Sequence, residues 1–94
     1  MPPIAPLAAA VTVGPGIVFA PDSVRIAVGG KVTWTWAPAS LSHSVEWLTA
    51  PGTLPTNSSI MTSGSYFITF TQAGVYTYDC IVHGSAMSGI VVVQ

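Results

Sequence analysis

Along most of this 94-residue chain, apolar and polar residues alternate with a period of two. Val24, Ile26 and Val28 alternate with Arg25 and Ala27, and Val32, Trp34 and Trp36 with Thr33 and Thr35. Tyr66, Ile68 and Phe70 repeat the pattern, as do Tyr76, Tyr78 and Cys80. Successive side chains of a strand point to opposite faces, so the period predicts half-buried β-strands. Composition points the same way. Val, Thr and Ile number 12, 10 and 7, whereas Leu numbers four and Lys, Arg and Glu one each. β-branched side chains suit a pleated surface, and the straight-chain helix formers are nearly missing.

The strands can be placed by their punctuation. Ala8–Val13 reads as a first strand, closed by Gly14-Pro15-Gly16. Ile17-Val18-Phe19 is a short apolar piece stopped by Pro21-Asp22. Ser23–Val28 and Lys31–Trp36 flank Gly29-Gly30, a two-residue hairpin signal, and are expected to pair. Pro38 to Ser42 is a polar turn. His43, Val45 and Trp47 then share one strand face, with Ser44 and Glu46 on the other. Residues 49–65, rich in Thr, Ser, Pro and Gly, read as a long loop. After the strand at Tyr66–Phe70 comes a turn at Gln72-Ala73-Gly74, then the strand that ends at Cys80. His83 to Ser88 reads as a loop of small residues, and Gly89–Val93 as a last strand. Seven or eight short strands at regular spacing, with no long helix, predict an all-β antiparallel sandwich or barrel. It forms one domain over residues 1–94, of which the Pro-rich residues 1–7 are a loose lead-in.

Charge narrows the function classes. The only formal charges are Asp22, Arg25, Lys31, Glu46 and Asp79, for a net charge of −1. Two cations cannot neutralise a run of phosphates, so nucleic acid is not an expected partner. The apolar runs fall short of the roughly 18–20 residues of a membrane helix. Met1-Pro2-Pro3-Ile4-Ala5-Pro6 lacks a basic region and does not read as a signal peptide. The expectation is an intracellular protein or a trimmed domain with an added Met. A domain of this size buries only about 60–65% of its unfolded surface. A lone cysteine makes no internal disulfide, and a bound metal is the other common staple.

The segment that points to chemistry is Cys80-Ile81-Val82-His83-Gly84-Ser85-Ala86-Met87. A thiolate, an imidazole and a thioether stand as Cys-x2-His-x3-Met. Soft and borderline ligands of this kind suit copper: one Cys with two His in a trigonal plane and a weak axial Met is the blue-copper arrangement. The second His has one source, His43, at the start of a strand whose inward face continues through Val45 and Trp47. Taken singly, Cys80 reads as a small buried hydrophobe, His43 as a hydrogen-bonded or surface histidine and Met87 as core filler. The joint spacing is what singles them out.

On these residues the chain resembles the cupredoxins, the small blue-copper family of plastocyanin, amicyanin, azurin and halocyanin. The resemblance runs from about Val11 to Val93. It includes Phe19-Ala20-Pro21, the Val24–Trp36 segment, Ser42-His43-Ser44-Val45, Tyr66–Thr71, Gly74–Cys80, the ligand loop and Ser88–Val93. It implies a seven- to eight-stranded Greek-key β-sandwich or barrel. It implies one copper ion cycling between Cu(I) and Cu(II), with His43, Cys80 and His83 equatorial and Met87 axial. The sequence departs from the family at three points. Asp79 precedes the cysteine, where plastocyanins carry an aromatic electron port. No acidic patch is present. Ser42 replaces the Gly that gives azurins an extra axial carbonyl, so four ligands are expected. Ser44 is expected to tie the His43 segment to the loop near Cys80; a solvent-facing strand serine is the other reading. Trp34, Trp36, Trp47, Tyr76 and Phe70 are expected in the core rather than as electron relays.

The expected function is single-electron transfer. Redox proteins would dock transiently at the His83 edge, on a small apolar patch of Gly84, Ser85 and Ala86 with Pro15, Gly16 and Pro38. The alternative is a copper carrier or storage domain using the same ligands. A structural immunoglobulin-type sandwich gives no reason for the Cys-x2-His-x3-Met spacing. A copper oxidase or nitrite reductase needs further histidines, and none remain. A dinuclear copper site needs a second cysteine. No enzymatic activity is expected, nor a membrane span in this chain, and a monomer is the expected state. The resemblance implies an extracytoplasmic setting, such as the periplasm or a membrane surface.

Overall fold

The computed structural model describes residues 5–38 and 40–94. The lead-in over residues 1–4 and position 39 of the polar turn lie outside them. Among the described residues there are eight strands and no helix. They are β1 (Ala8–Val13), β2 (Phe19–Ala20), β3 (Ser23–Ile26), β4 (Lys31–Trp36), β5 (Glu46–Thr49), β6 (Ser65–Thr69), β7 (Gly74–Cys80) and β8 (Gly84–Val93). One sheet runs β2-β1-β4-β6 and the other β3-β8-β7-β5. None of the helices needed to cross a membrane is present among these residues.

The expected hairpin across Gly29-Gly30 does not form. β3 pairs in parallel with β8, and β4 pairs in parallel with β1 and antiparallel with β6. The glycines are instead a corner at which the chain changes sheets. Gly29 has a φ of 88°, and the Gly30 amide donates to the Ala27 carbonyl at 2.9 Å. The Gly29 amide then donates to the Phe70 carbonyl (2.7 Å), and the Phe70 amide to Gly30 (2.9 Å). The physical reason is that alternation specifies which face of a strand is buried, not which neighbour it pairs with. Ile26 from one sheet and Val32, Trp34 and Trp36 from the other meet in the same core. The two parallel pairs also correct the expectation of a purely antiparallel sandwich. Upstream, the Pro6 and Leu7 carbonyls accept from Ala27 and Lys31, which fastens this part of the lead-in to the corner.

The interior is aromatic and tightly fitted. Trp34 meets Trp47 and Tyr78 edge to face, at centroid separations of 5.6 and 5.5 Å. Phe70 and Tyr76 meet the same way at 4.8 Å. Such pairs contribute roughly 0.5–1.5 kcal/mol beyond the area they bury. Burial pushes the Tyr78 phenol up to about 12. The Tyr78 ring lies directly over Gly89, its register partner on β8, where no side chain would fit. All five aromatic residues expected in the core are buried.

The last strand is longer than its sequence indicates. β8 begins at Gly84 rather than Gly89, because Gly84 already pairs with Cys80 while Ser88 pairs with Asp79. One step along β7 therefore faces four steps along β8. Ser85, Ala86 and Met87 form the resulting bulge beside the end of β7. Bulges of this kind re-aim side chains next to functional sites.

Candidate metal centre

His43 is held by its backbone. It forms an isolated antiparallel bridge with Met61, near the end of the long 50–64 connection. Its amide donates to the Met61 carbonyl at 3.0 Å, and its carbonyl accepts the Met61 amide at 2.9 Å. The same carbonyl accepts the Trp36 indole N–H at 3.3 Å. Gly14 closes over the ring: a Cβ there would lie 3.5 Å from His43 Cδ2 and 2.5 Å from Ser40 Oγ. His43 is completely buried. Burial, followed by the nearby His83, pushes its pKa below the usual histidine value, and the Gly16 carbonyl partly opposes this. Nε2 of the ring makes no well-formed hydrogen bond. The low pKa keeps the imidazole neutral, the form that ligates metals.

Cys80 ends β7, buried and without a disulfide partner. The Ser44 amide donates to its sulfur at 3.4 Å. Ser44 itself is buried, and its Oγ accepts the Ile81 amide at 3.0 Å. That is the expected tie between the His43 segment and the ligand loop; the solvent-facing reading of Ser44 does not hold. The chain then turns through Ile81 and Val82. The His83 amide donates to the Cys80 carbonyl at 3.2 Å, which brings His83 back beside the sulfur. Gly84, with a φ of 61°, starts β8. Met87 is buried in the bulge and belongs to the same core cluster as Cys80.

His43, Cys80 and His83 come together as a compact donor set, with ligand atoms all within 4.8 Å of one another. The two Nδ1 atoms are 3.2 Å apart, and the sulfur lies 3.8 Å from that of His43 and 3.5 Å from that of His83. A circle through these three atoms has a radius of about 2.0 Å, the length of a metal–imidazole bond and slightly short of a metal–thiolate bond. One ion at its centre would satisfy all three donors. Soft sulfur with two imidazoles is the donor chemistry that suits copper. The residues present fit the metal.

Two features were not legible in the sequence. The exposed apolar rim is wider than the small-residue loop: Ile81 and Val82 are exposed, and so are Ile17 and Val18. Ile17, Val18 and Ala86 border one shallow hollow of about 150 Å³. Adjacent apolar pairs in turns carry no period that says which way they face, so their exposure was not readable from the sequence. The second feature lies in the sheet that carries Cys80, where Glu46 on β5 is the register partner of Asp79 on β7. Asp79 is only 8% exposed, and its Oδ1 has no hydrogen-bond partner. Hydrogen bonding with Asp79, aided by desolvation and by its charge, raises the Glu46 pKa above the usual carboxylate value.

Comparison with known proteins agrees with this geometry. The sequence profile of copper-binding proteins of the plastocyanin/azurin family matches residues 7–94. The chain belongs to that family. Solved structures place this cupredoxin among copper proteins. A purple cupredoxin from Nitrosopumilus maritimus shares 27% identity at a TM-score of 0.78, over 92% of this chain and 99% of that one. A variant of amicyanin in its reduced Cu(I) form at pH 4 shares 30% identity at 0.78, over 97% of this chain and 86% of that one. A copper-containing nitrite reductase from Thermus scotoductus SA-01 shares 26% identity at 0.78. The match covers all of this cupredoxin but only 24% of that enzyme. No curated protein sequence matches the chain significantly.

Proposed function

We propose that this cupredoxin is a mononuclear type 1 copper protein that carries single electrons between redox partners and catalyses no reaction of its own. The observation that supports this reading best is the donor triangle, in which three atoms from two distant chain segments surround one point at metal-bonding distance. In the proposal His43, Cys80 and His83 are the equatorial ligands and Met87 the weak axial one. Copper, when bound, supplies a one-electron Cu(I)/Cu(II) couple. The protein's share is to hold the donors still. Cys80 is fixed by β7 and by the Ser44 amide, and His43 by its bridge to Met61. His83 is only half-buried, unlike His43 and Cys80, so its ring is the edge at which electrons enter and leave. Exposed Ile81 and Val82 precede His83 in the chain, and exposed Ile17 and Val18 share a hollow with Ala86 and Asp22; a mostly apolar surface of this kind suits transient partners that bury less than about 1,200 Å². The 94 residues hold no histidine beyond His43 and His83 for a second copper centre. A monomeric single domain with Greek-key connections, working outside the cytoplasm, completes the proposal.

Electron self-exchange measured by nuclear magnetic resonance on mixed Cu(I)/Cu(II) protein separates this from copper storage. The carrier reading expects fast exchange and slow copper loss. It also expects Ala86→Glu to slow exchange at least tenfold at low salt, recovering as salt screens the paired charges, with the visible spectrum unchanged. Slow exchange in the native protein together with rapid copper loss would identify a storage domain.

A further inference from the structure

The imidazole of His43 lacks the usual outer support. A metal-ligating histidine generally donates its second ring N–H to a fixed acceptor, which sets its orientation. Here Nε2 is buried and makes no well-formed hydrogen bond, the Gly16 carbonyl acting on the ring only weakly. The residue is positioned instead through its carbonyl, which takes two donors, the Met61 amide at 2.9 Å and the Trp36 indole at 3.3 Å. A carbonyl has two lone pairs, so the pair of bonds completes its capacity. Trp36 is well placed for the task. It is the last residue of β4 and buried, and its own amide donates to the Gly64 carbonyl at 3.0 Å. One residue thus joins the strand directly to Gly64 and to the His43 carbonyl that Met61 also reaches. The indole N–H groups of the other two tryptophans make no hydrogen bond to the metal-site backbone: that of Trp47 donates to the Tyr66 hydroxyl, and that of Trp34 has no well-formed partner.

We propose that Trp36 is a positioning residue for the copper centre, acting through its indole hydrogen bond to the His43 carbonyl. The proposal rests on His43 being a ligand. Its consequence is unequal for the two oxidation states. Cu(II) favours nitrogen donors in a defined geometry, whereas soft thiolate and thioether donors suit Cu(I). Loosening His43 therefore weakens Cu(II) binding more than Cu(I) binding.

The test is Trp36→Phe, which keeps an aromatic ring in the core and deletes the donor. Cu(II) and Cu(I) affinities are measured by competition with chelators of known affinity, and the reduction potential by voltammetry. The expected result is a Cu(II) affinity about tenfold lower with a smaller loss for Cu(I). The potential then rises by about 59 mV for each tenfold difference. A variant that melts earlier but keeps the native potential and affinity ratio would show Trp36 to be structural only, overturning the proposal. If the variant fails to fold, the native copper-free protein still decides. Its Trp36 indole proton should exchange slowly with solvent deuterium, and exchange at the rate of free tryptophan would overturn the hydrogen bond. Native protein whose copper spectrum ignores His43→Ala would instead remove the ligand assignment itself, so the two failures are distinct.

Discussion

Ser44 shows how much of a metal centre is held by residues that never touch the metal. Its amide reaches the Cys80 sulfur and its hydroxyl receives the Ile81 amide, so one buried residue braces the thiolate and the loop behind it. Ser44→Ala keeps the first bond and removes the second, leaving the Ile81 amide without its acceptor. Losing an outer support of this kind commonly costs about 10–100-fold in metal affinity. A fall in that range, measured by chelator competition on the folded variant, is expected; unchanged affinity would show the bond to be incidental. At this scale the sequence was most informative where ligand types stand close together, as at Cys80, His83 and Met87. The single remaining histidine then designated His43. Trp36 and Met61 were illegible because they act through a backbone carbonyl, and any residue that places a donor there would serve.

At the level of the strand, alternation was mostly read correctly and pairing was not. The stretch expected as a strand from His43 is one only from Glu46: His43 makes an isolated bridge and Ser44 is buried with its neighbours, because the site and not a sheet holds them. β3 and β4 separated into different sheets at Gly29-Gly30. The bulge in β8 was hidden for a related reason. Gly84, Ser85 and Ala86 have the composition of a loop, and only the pairing of Gly84 with Cys80 makes them part of a strand. The pairing of β5 with β7 carries a prediction of its own, since it sets Glu46 opposite Asp79. Like charges directly across a sheet are destabilising. Because the folded state raises the Glu46 pKa, it binds a proton more tightly there than the unfolded chain does. That contribution is complete below the ordinary carboxylate range and is lost as pH rises through the raised value. Glu46→Gln keeps a polar side chain opposite Asp79 and removes the charge, and its amide can donate to the carboxylate. Thermal melting of the copper-free protein should show the variant gaining on the native chain at pH 7 and little changed at pH 3.5. An equal shift at both values would rule out charge as the cause.

Over the whole molecule, the two sheets divide the work of building the site. β4 supplies Trp36 behind His43, while β7 supplies Cys80, the turn after it His83, and β8 Met87. A chain with five charges has little to offer a partner by electrostatic steering, and in the proposed function exposed apolar residues near the ligand loop take its place. The central claim is that these segments hold one copper ion through a thiolate. It is tested most directly by titrating purified copper-free protein with Cu(II) while recording visible absorption and electron paramagnetic resonance. The account predicts one equivalent bound, an intense thiolate-to-copper charge-transfer band in the visible and narrow copper hyperfine splitting, all lost in Cys80→Ser. A colourless complex, or one whose spectrum survives Cys80→Ser, would contradict it.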